Sequence, residues 1–315
     1  MKRILITGAL GQIGSELAHY LAKEYGKDNI IATGRSHRNI EALGDLHFEM
    51  LDVSDGERLN ELVEKNKIDT IVHLAAILSA KGETMPQETW HTNMGGLQNV
   101  LEVAKNTGAA VFTPSSIAVF GKDFPLDNTP QSTVMLPTTM YGVTKVSGEI
   151  LADYYHQKFG VDARGVRYPG IISHLTLPGN GTTDYAVHIY YEAVKNNKYT
   201  SYIAKDTYMD MLYMPDALRA VVELMEANPD KLIHRNAFNI TAMSLEPEKI
   251  AAAIRKHYPE FALDYAIDPV RQAIAESWPN SLDDTCAREE WGWHAEYDLP
   301  AMTADMLENL EKKLK

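Results

Sequence analysis

The chain has 315 residues, 45% hydrophobic and 23% charged, a composition of the soluble globular class with enough apolar material for one large domain or two modest ones. Its formal net charge is -13 and it carries no Lys/Arg-rich block, so a nucleic acid would meet long-range repulsion and is excluded as the expected partner. The single cysteine, Cys286, offers neither an internal disulfide nor metal-ligand spacing, and no run approaches the roughly 18 apolar residues of a membrane helix; the expectation is a cytoplasmic protein.

Along the first 170 residues, short β-branched runs alternate with longer amphipathic ones. The runs at 3–7, 30–33, 47–51, 70–75, 109–114 and 163–168 read as strands, and those near 12–25, 55–65, 87–107 and 139–159 as helices. This alternation predicts an α/β fold, a doubly wound parallel sheet of the Rossmann type, whose ligands bind at the carboxyl ends of the strands. After Arg167 the rhythm breaks into shorter, Pro-interrupted elements, which predicts a smaller C-terminal substrate lobe. The expected division is a dinucleotide-binding domain of residues 1–170 plus roughly 205–240, and a substrate lobe of roughly 171–204 and 241–315.

The first strand runs into Gly8-Ala9-Leu10-Gly11-Gln12-Ile13-Gly14 and then a helix. Glycines at these places permit a tight turn and bring a pyrophosphate to the helix N-terminus, so dinucleotide binding is favoured over a plain turn. Twenty residues past Gly14, where an NAD-selective fold places an acid for the ribose hydroxyls, stands Gly34, followed by Arg35 and Ser36. Without the carboxylate, and with a guanidinium and a hydroxyl in its place, the corner suits a 2'-phosphate; the cofactor is NAD or NADP, with this corner favouring NADP. The alternative is a solvated basic loop with little say in selectivity.

Farther on, "FTPSSIAVFG" delivers Ser115 and Ser116 to a strand end, and "MYGVTKVSGE" places Tyr141 and Lys145 on one face of a helix, with Ser116 25 residues before Tyr141. Oxidising an alcohol needs a base for the hydroxyl proton while hydride leaves. A free phenol with a pKa near 10 is ionised to about one part in a thousand at pH 7, so an adjacent ammonium is what makes tyrosine serviceable. Ser116 would hold the substrate oxygen.

These residues resemble the extended branch of the short-chain dehydrogenase/reductases, through "TGALGQIG", "HLAA", Asn93 in "HTNMGG", Ser116, "YGVTK" and "RYPG". The resemblance implies that Gly8, Gly11, Gln12, Ile13 and Gly14 hold the pyrophosphate and that Asp52 and Val53 touch adenine. It places Leu74, Ala75, Ala76 and Asn93 along the cofactor, and Tyr168, Pro169 and Ile171 beside the nicotinamide. "SSIAVFG", "RYPGIIS", "PGNGTTDYAV" and "YMPDA" are most similar to short-chain-type L-threonine 3-dehydrogenases. That likeness implies oxidation of L-threonine at C3 to 2-amino-3-oxobutanoate, with Ser79, Thr182, Thr183 and Trp278 near the substrate, and a homodimer paired through the helices near 87–107 and 139–159.

Each substrate residue also has a plainer reading. Thr182 and Thr183 could cap the helix near Asp184, Trp278 could be packing or a lid, and Ser79 an ordinary loop serine. Asp184 itself reads as a helix cap. The relatives' longer glycine run is here Gly179-Asn180-Gly181. A nucleotide-sugar epimerase or dehydratase would use the same core residues, although "RYPGIIS" lacks the Asn usual there. A non-catalytic NADP-sensing regulator is the other alternative, against which the Tyr-Lys pair is intact. Metal chemistry has no motif among the 11 histidines.

Overall fold

The computed structural model describes residues 1–121, 124–178 and 181–315. Its N-terminal part contains β1 (Ile4–Thr7), β2 (Ile30–Gly34), β3 (His47–Met50), β4 (Thr70–His73), β5 (Ala110–Phe112), β6 (Ser115–Ser116), β7 (Ala163–Arg164) and β8 (Val166–Tyr168), of which all but β6 and β8 form the larger, six-stranded sheet. The order β3-β2-β1-β4-β5-β7 is parallel throughout, so each crossover carries a helix across one face. Pro114 offers no N–H to a ladder, and past it β6 resumes the β5 line and pairs with β8. β1 is buried along its whole length, as a strand covered on both faces requires.

Helices α1 (Gln12–Tyr25), α2 (Gly56–Asn66), α3 (Ser79–Thr84), α4 (Pro86–Trp90), α5 (Gly96–Thr107) and α6 (Met140–Phe159) complete this part. One core cluster joins Leu17 and Leu21 of α1 to Ile4, Ile6 and Phe112, and the opposite face packs Leu59, Val100 and Ala152 on Leu5 and Ile71. The single helix expected over 87–107 is instead α4 and α5 joined by a wide π-type turn, His91–Gly95. The residue accommodated there turns Asn93 inward, where its amide accepts from Ile77 N (2.8 Å) and donates to Ile77 O (3.1 Å) and Thr144 Oγ1 (3.0 Å).

The C-terminal part adds β9 (Gly170–Ile172), β10 (Lys198–Ser201), β11 (Met209–Tyr213), β12 (Phe238–Asn239), β13 (Met243–Leu245) and β14 (Ala262–Tyr265). β9, β11 and β13 form one small sheet, β10 and β14 another, and β12 pairs with β8 in a third, of order β12-β8-β6. A separate core of Tyr185, Tyr190, Tyr213, Trp278 and Met306 holds the small sheets to the helices Tyr185–Asn196, Pro247–Arg255 and Leu299–Leu314. The chain crosses between the two cores within one element pair: β11 belongs to the small sheet, while Ala217 and Val221 of the next helix, Met214–Glu226, pack on α1. Among the described residues, no helix is long and apolar enough to cross a membrane.

Candidate active site

The strand β1 ends at Thr7 and the chain turns at Gly8, whose φ of 69° is left-handed; a Cβ there would stand 2.7 Å from Ala75 N. At Gly14 a Cβ would meet Gly8 O at 2.3 Å, so the turn and the start of α1 can close on each other only without side chains. No side chain caps α1 at Gly11, which leaves its first N–H groups directed at the cleft. Beside them Gln12 Nε2 is buried without a partner. Unpaired donors at a helix N-terminus are what a pyrophosphate satisfies, so these residues fit a dinucleotide.

From this turn one arm of the cleft, about 240 Å³, runs between Gly34, Arg35, Ser36, Asp52, Val53 and Ile77. Arg35, Ser36, His37 and Arg38 are all exposed. Hydrogen bonds from Ser54 N (3.0 Å) and Oγ (2.8 Å) hold the Asp52 carboxyl below its usual range, and the Arg35 cation contributes in the same direction. A Cβ on Gly34 would stand 3.2 Å from Leu10 Cδ1, the tip of a flexible side chain, so room alone does not exclude an acid here.

The other arm, about 250 Å³, brings Ser116, Tyr141 and Lys145 together with Ser79, Thr182, Thr183 and Trp278. β6 delivers Ser116, whose Oγ accepts from Ala118 N (3.2 Å), and the first turns of α6 deliver Tyr141 and Lys145. Thr139 caps α6 by accepting from Gly142 N (3.1 Å), which fixes where those turns begin. Burial pushes the Tyr141 phenol up to about 12, against the pull of its hydrogen bond with Ser116. Burial likewise pushes the Lys145 ammonium down to about 8, against the Glu149 carboxylate. Lys145 Nζ donates to Pro114 O (2.6 Å) and lies 5.5 Å from the centre of the Tyr141 ring. Surroundings that favour an ammonium at Lys145 beside a phenolate at Tyr141 are what make this tyrosine a base.

The sequence alternatives around the substrate residues resolve unevenly. Asp184, not a threonine, makes the cap at this helix start: its Oδ2 accepts from Gly181 N at 2.5 Å. Thr182 is 1% exposed and its Oγ1 has no partner among the described residues. Trp278 is both packing and wall, 7% exposed in the second core and bordering the cleft. Ser79 opens α3 rather than sitting in a loop. Gly179 and Asn180, the altered glycine run, lie outside the described residues. Ala75 and Ala76 border the adenosine arm beside Leu74, whereas Tyr168, Pro169 and Ile171 border the reacting arm. Tyr168 anchors itself by donating to Ala217 O (2.7 Å).

Asn93 lies elsewhere. It lines a separate void of about 30 Å³ behind Lys145, with His73, Thr144, Ser115 and Glu149. Its clamp on Ile77 shapes the adenosine arm from behind, so it acts on the cofactor side through the backbone. His73 bonds Thr7 Oγ1 through Nδ1 (2.8 Å), and burial, reinforced by Lys145, lowers it to about 3, which keeps it neutral. Sequence reading passed over His73 and Glu149. The signal for Glu149 was its place four residues after Lys145, on the same helix face. Sequence spacing also hid a group brought together by folding: His234, Cys286 and Glu290, whose potential ligand atoms lie within 4.8 Å of one another, away from the cleft. There Glu290 already accepts from Ile233 N, His234 N and the His234 ring.

Comparison with known proteins matches residues 4–241 to the NAD dependent epimerase/dehydratase family. An uncharacterized epimerase/dehydratase of Staphylococcus saprophyticus is 56% identical, over 100% of this chain and 99% of its own. The structure of an L-threonine dehydrogenase from Clostridium difficile superposes with a TM-score of 0.98 at 60% identity, covering 99% of this chain and 98% of that one. A GalE-like L-threonine dehydrogenase from Cupriavidus necator, in its holo form, gives 0.94 at 52% identity, covering 98% and 99%.

Proposed function

This chain belongs to the NAD dependent epimerase/dehydratase family, and we propose that within it the protein is an L-threonine 3-dehydrogenase, with residues 171–204 and 241–315 forming the substrate side. The observation that carries this reading is the reacting arm. It places Ser116, Tyr141 and Lys145 beside the small polar side chains of Ser79, Thr182 and Thr183 and the wall of Trp278, a lining that suits an amino acid. Among the described residues, Thr182 Oγ1 is the buried hydroxyl of its wall left without a partner, which suits a small polar molecule.

Ser116 and Tyr141 take the C3 hydroxyl of threonine between them. A bound oxidised nicotinamide supplies the hydride acceptor for the hydrogen on C3. Tyr141 Oη receives the hydroxyl proton as the C3–O bond becomes a carbonyl, Lys145 stabilises the phenolate that accepts it, and Ser116 donates to the oxygen as its charge develops. Threonine has then lost one hydride and one proton, giving 2-amino-3-oxobutanoate. Trp278 and Ile171 supply apolar wall on this side of the cleft.

The same reading includes use of NADP at least on a par with NAD, supported by Arg35 and Ser36 beside an acid-free Gly34. It also includes a homodimer through α6, on which Val143, Ile150, Tyr154 and Phe159 expose 37–61% of their surfaces. Initial rates of nicotinamide reduction with L-threonine, L-serine and, as a binding control, UDP-glucose test the substrate assignment. Threonine turnover with no UDP-glucose binding is expected; UDP-glucose binding without threonine turnover would return the chain to the epimerase reading. Sedimentation tests the dimer.

A further inference from the structure

One buried ion pair stands a single helical turn from the reacting residues and takes no part in the mechanism above. Glu149 follows Lys145 by four residues on α6. It is 6% exposed and receives a two-pronged contact from Arg167, Nε to Oε1 at 3.0 Å and Nη2 to Oε2 at 2.8 Å; Ser115, the neighbour of Ser116, also donates to Oε1. Arg167 is fixed in turn by Gln131 O (2.8 Å) and Asn239 Oδ1 (3.1 Å). The pair is oriented: Glu149 borders the void of about 30 Å³ that Lys145 also borders, while Arg167 lies outside that lining. Glu149 is therefore the member of the pair that shares both a helix face and a void with Lys145.

The other titratable neighbours do little to offset it. His73, across the void, is held neutral by burial. Asp153, the next turn of α6, is pushed toward its neutral form by burial and by Glu149 itself. Tyr141 is the partner of Lys145, and His156 stands farther along the helix, bonded to Val161 O (2.9 Å). Glu149 is thus the group that opposes desolvation of Lys145, and Arg167 and Ser115 satisfy both its oxygens.

We propose that Glu149, fixed in place by its two-pronged contact with Arg167, is a positioning residue whose field keeps the Lys145 ammonium beside the Tyr141 phenolate, selecting the tautomer of the pair that abstracts the proton. The proposal rests on the dehydrogenase reading. With the carboxylate gone, the pair loses its first proton more easily, but the loss falls on nitrogen and leaves a phenol. Glu149→Gln should therefore move the acid limb of the kcat/KM profile for threonine to lower pH by at least one unit, about tenfold in proton affinity. At the same time it should lower the plateau at least tenfold.

Merely loosened structure lowers a plateau without moving the limb. Glu149→Asp, which keeps the charge, should restore most of both. Because an unpaired Arg167 strains the fold, Glu149→Gln/Arg167→Met provides a folded pair-free variant, expected to show the same shift and loss. A readout independent of turnover is the titration of Lys145 by NMR after ¹³C-methylation of lysines, assigned with Lys145→Arg. A Lys145 titration at least one unit lower in the pair-free variant supports the proposal. An unmoved titration with an unmoved limb overturns it, whatever the plateau does. If the parent fails to oxidise threonine while the titration still moves, the substrate reading fails and the Glu149–Lys145 coupling stands.

Discussion

At the adenosine end of the cleft Arg35, Ser36 and Asp52 stand in water, whereas at the reacting end Tyr141 and Lys145 are half-buried in the cleft wall and displaced from their ordinary ionisation, to about 12 and about 8. The contrast sets how much each residue is worth. Exposed charges are screened within about 8 Å at physiological salt, so selectivity between two cofactors rests on contacts of modest strength. Enclosed charges keep their full effect on one another, so the chemistry rests on few groups and fails sharply when one is lost. The turn of Gly8, Gly11 and Gly14 lies between these ends and serves both, by backbone N–H groups that carry no charge to screen.

Substitutions should reproduce that gradient. The largest effect is expected of Tyr141→Phe, which removes the base: kcat should fall by about 10²–10⁴-fold while cofactor affinity, read by equilibrium dialysis, stays within twofold. Retained turnover would mean that another group takes the proton. In the parent, threonine oxidation should rise with pH as the Tyr141 phenol gives way to the phenolate that takes the hydroxyl proton, and then level; a rate that falls with pH from neutrality would contradict the assignment.

At intermediate strength, Thr182→Ala should raise KM for threonine about tenfold with little change in kcat, the scale of one hydrogen bond of about 1.4 kcal/mol. An unchanged KM would place the amino acid elsewhere in the arm. The smallest effect belongs to the exposed end. Arg35→Ala should lower kcat/KM for NADP about tenfold and leave that for NAD within twofold, and the difference should shrink as salt is raised. Equal losses with both cofactors would sharpen the comparison differently, by assigning Arg35 to Asp52 and the adenine wall instead of the phosphate.

How much of this was legible depended on whether the signal was local. The buried runs of β1, β2 and β4, and the glycines after β1, are contiguous, so their period and punctuation carried the larger sheet and the turn directly. The Tyr141–Lys145 spacing was legible for the same reason. The wide turn at His91–Gly95 was hidden because apolar periodicity continues through an inserted residue; what holds it is the distant bond from Asn93 to Ile77. The break between β5 and β6 was hidden in an unbroken apolar run that Pro114 interrupts. Arg167 was noted only as the point where the strand rhythm changes, since its meeting with Glu149 joins two elements that the sequence separates. Thr182 and Thr183 offered a cap or a contact in equal measure, and only the placement of Asp184 at Gly181 N separated the two.

The central claim is that the hydrogen on C3 of L-threonine leaves as hydride while Tyr141 takes the hydroxyl proton. The most direct test is turnover of L-threonine deuterated at C3, with the reduced nicotinamide examined by NMR. One deuterium on the nicotinamide ring per 2-amino-3-oxobutanoate formed is the predicted result. Reduced cofactor without deuterium, or deuterium released to solvent, would contradict it.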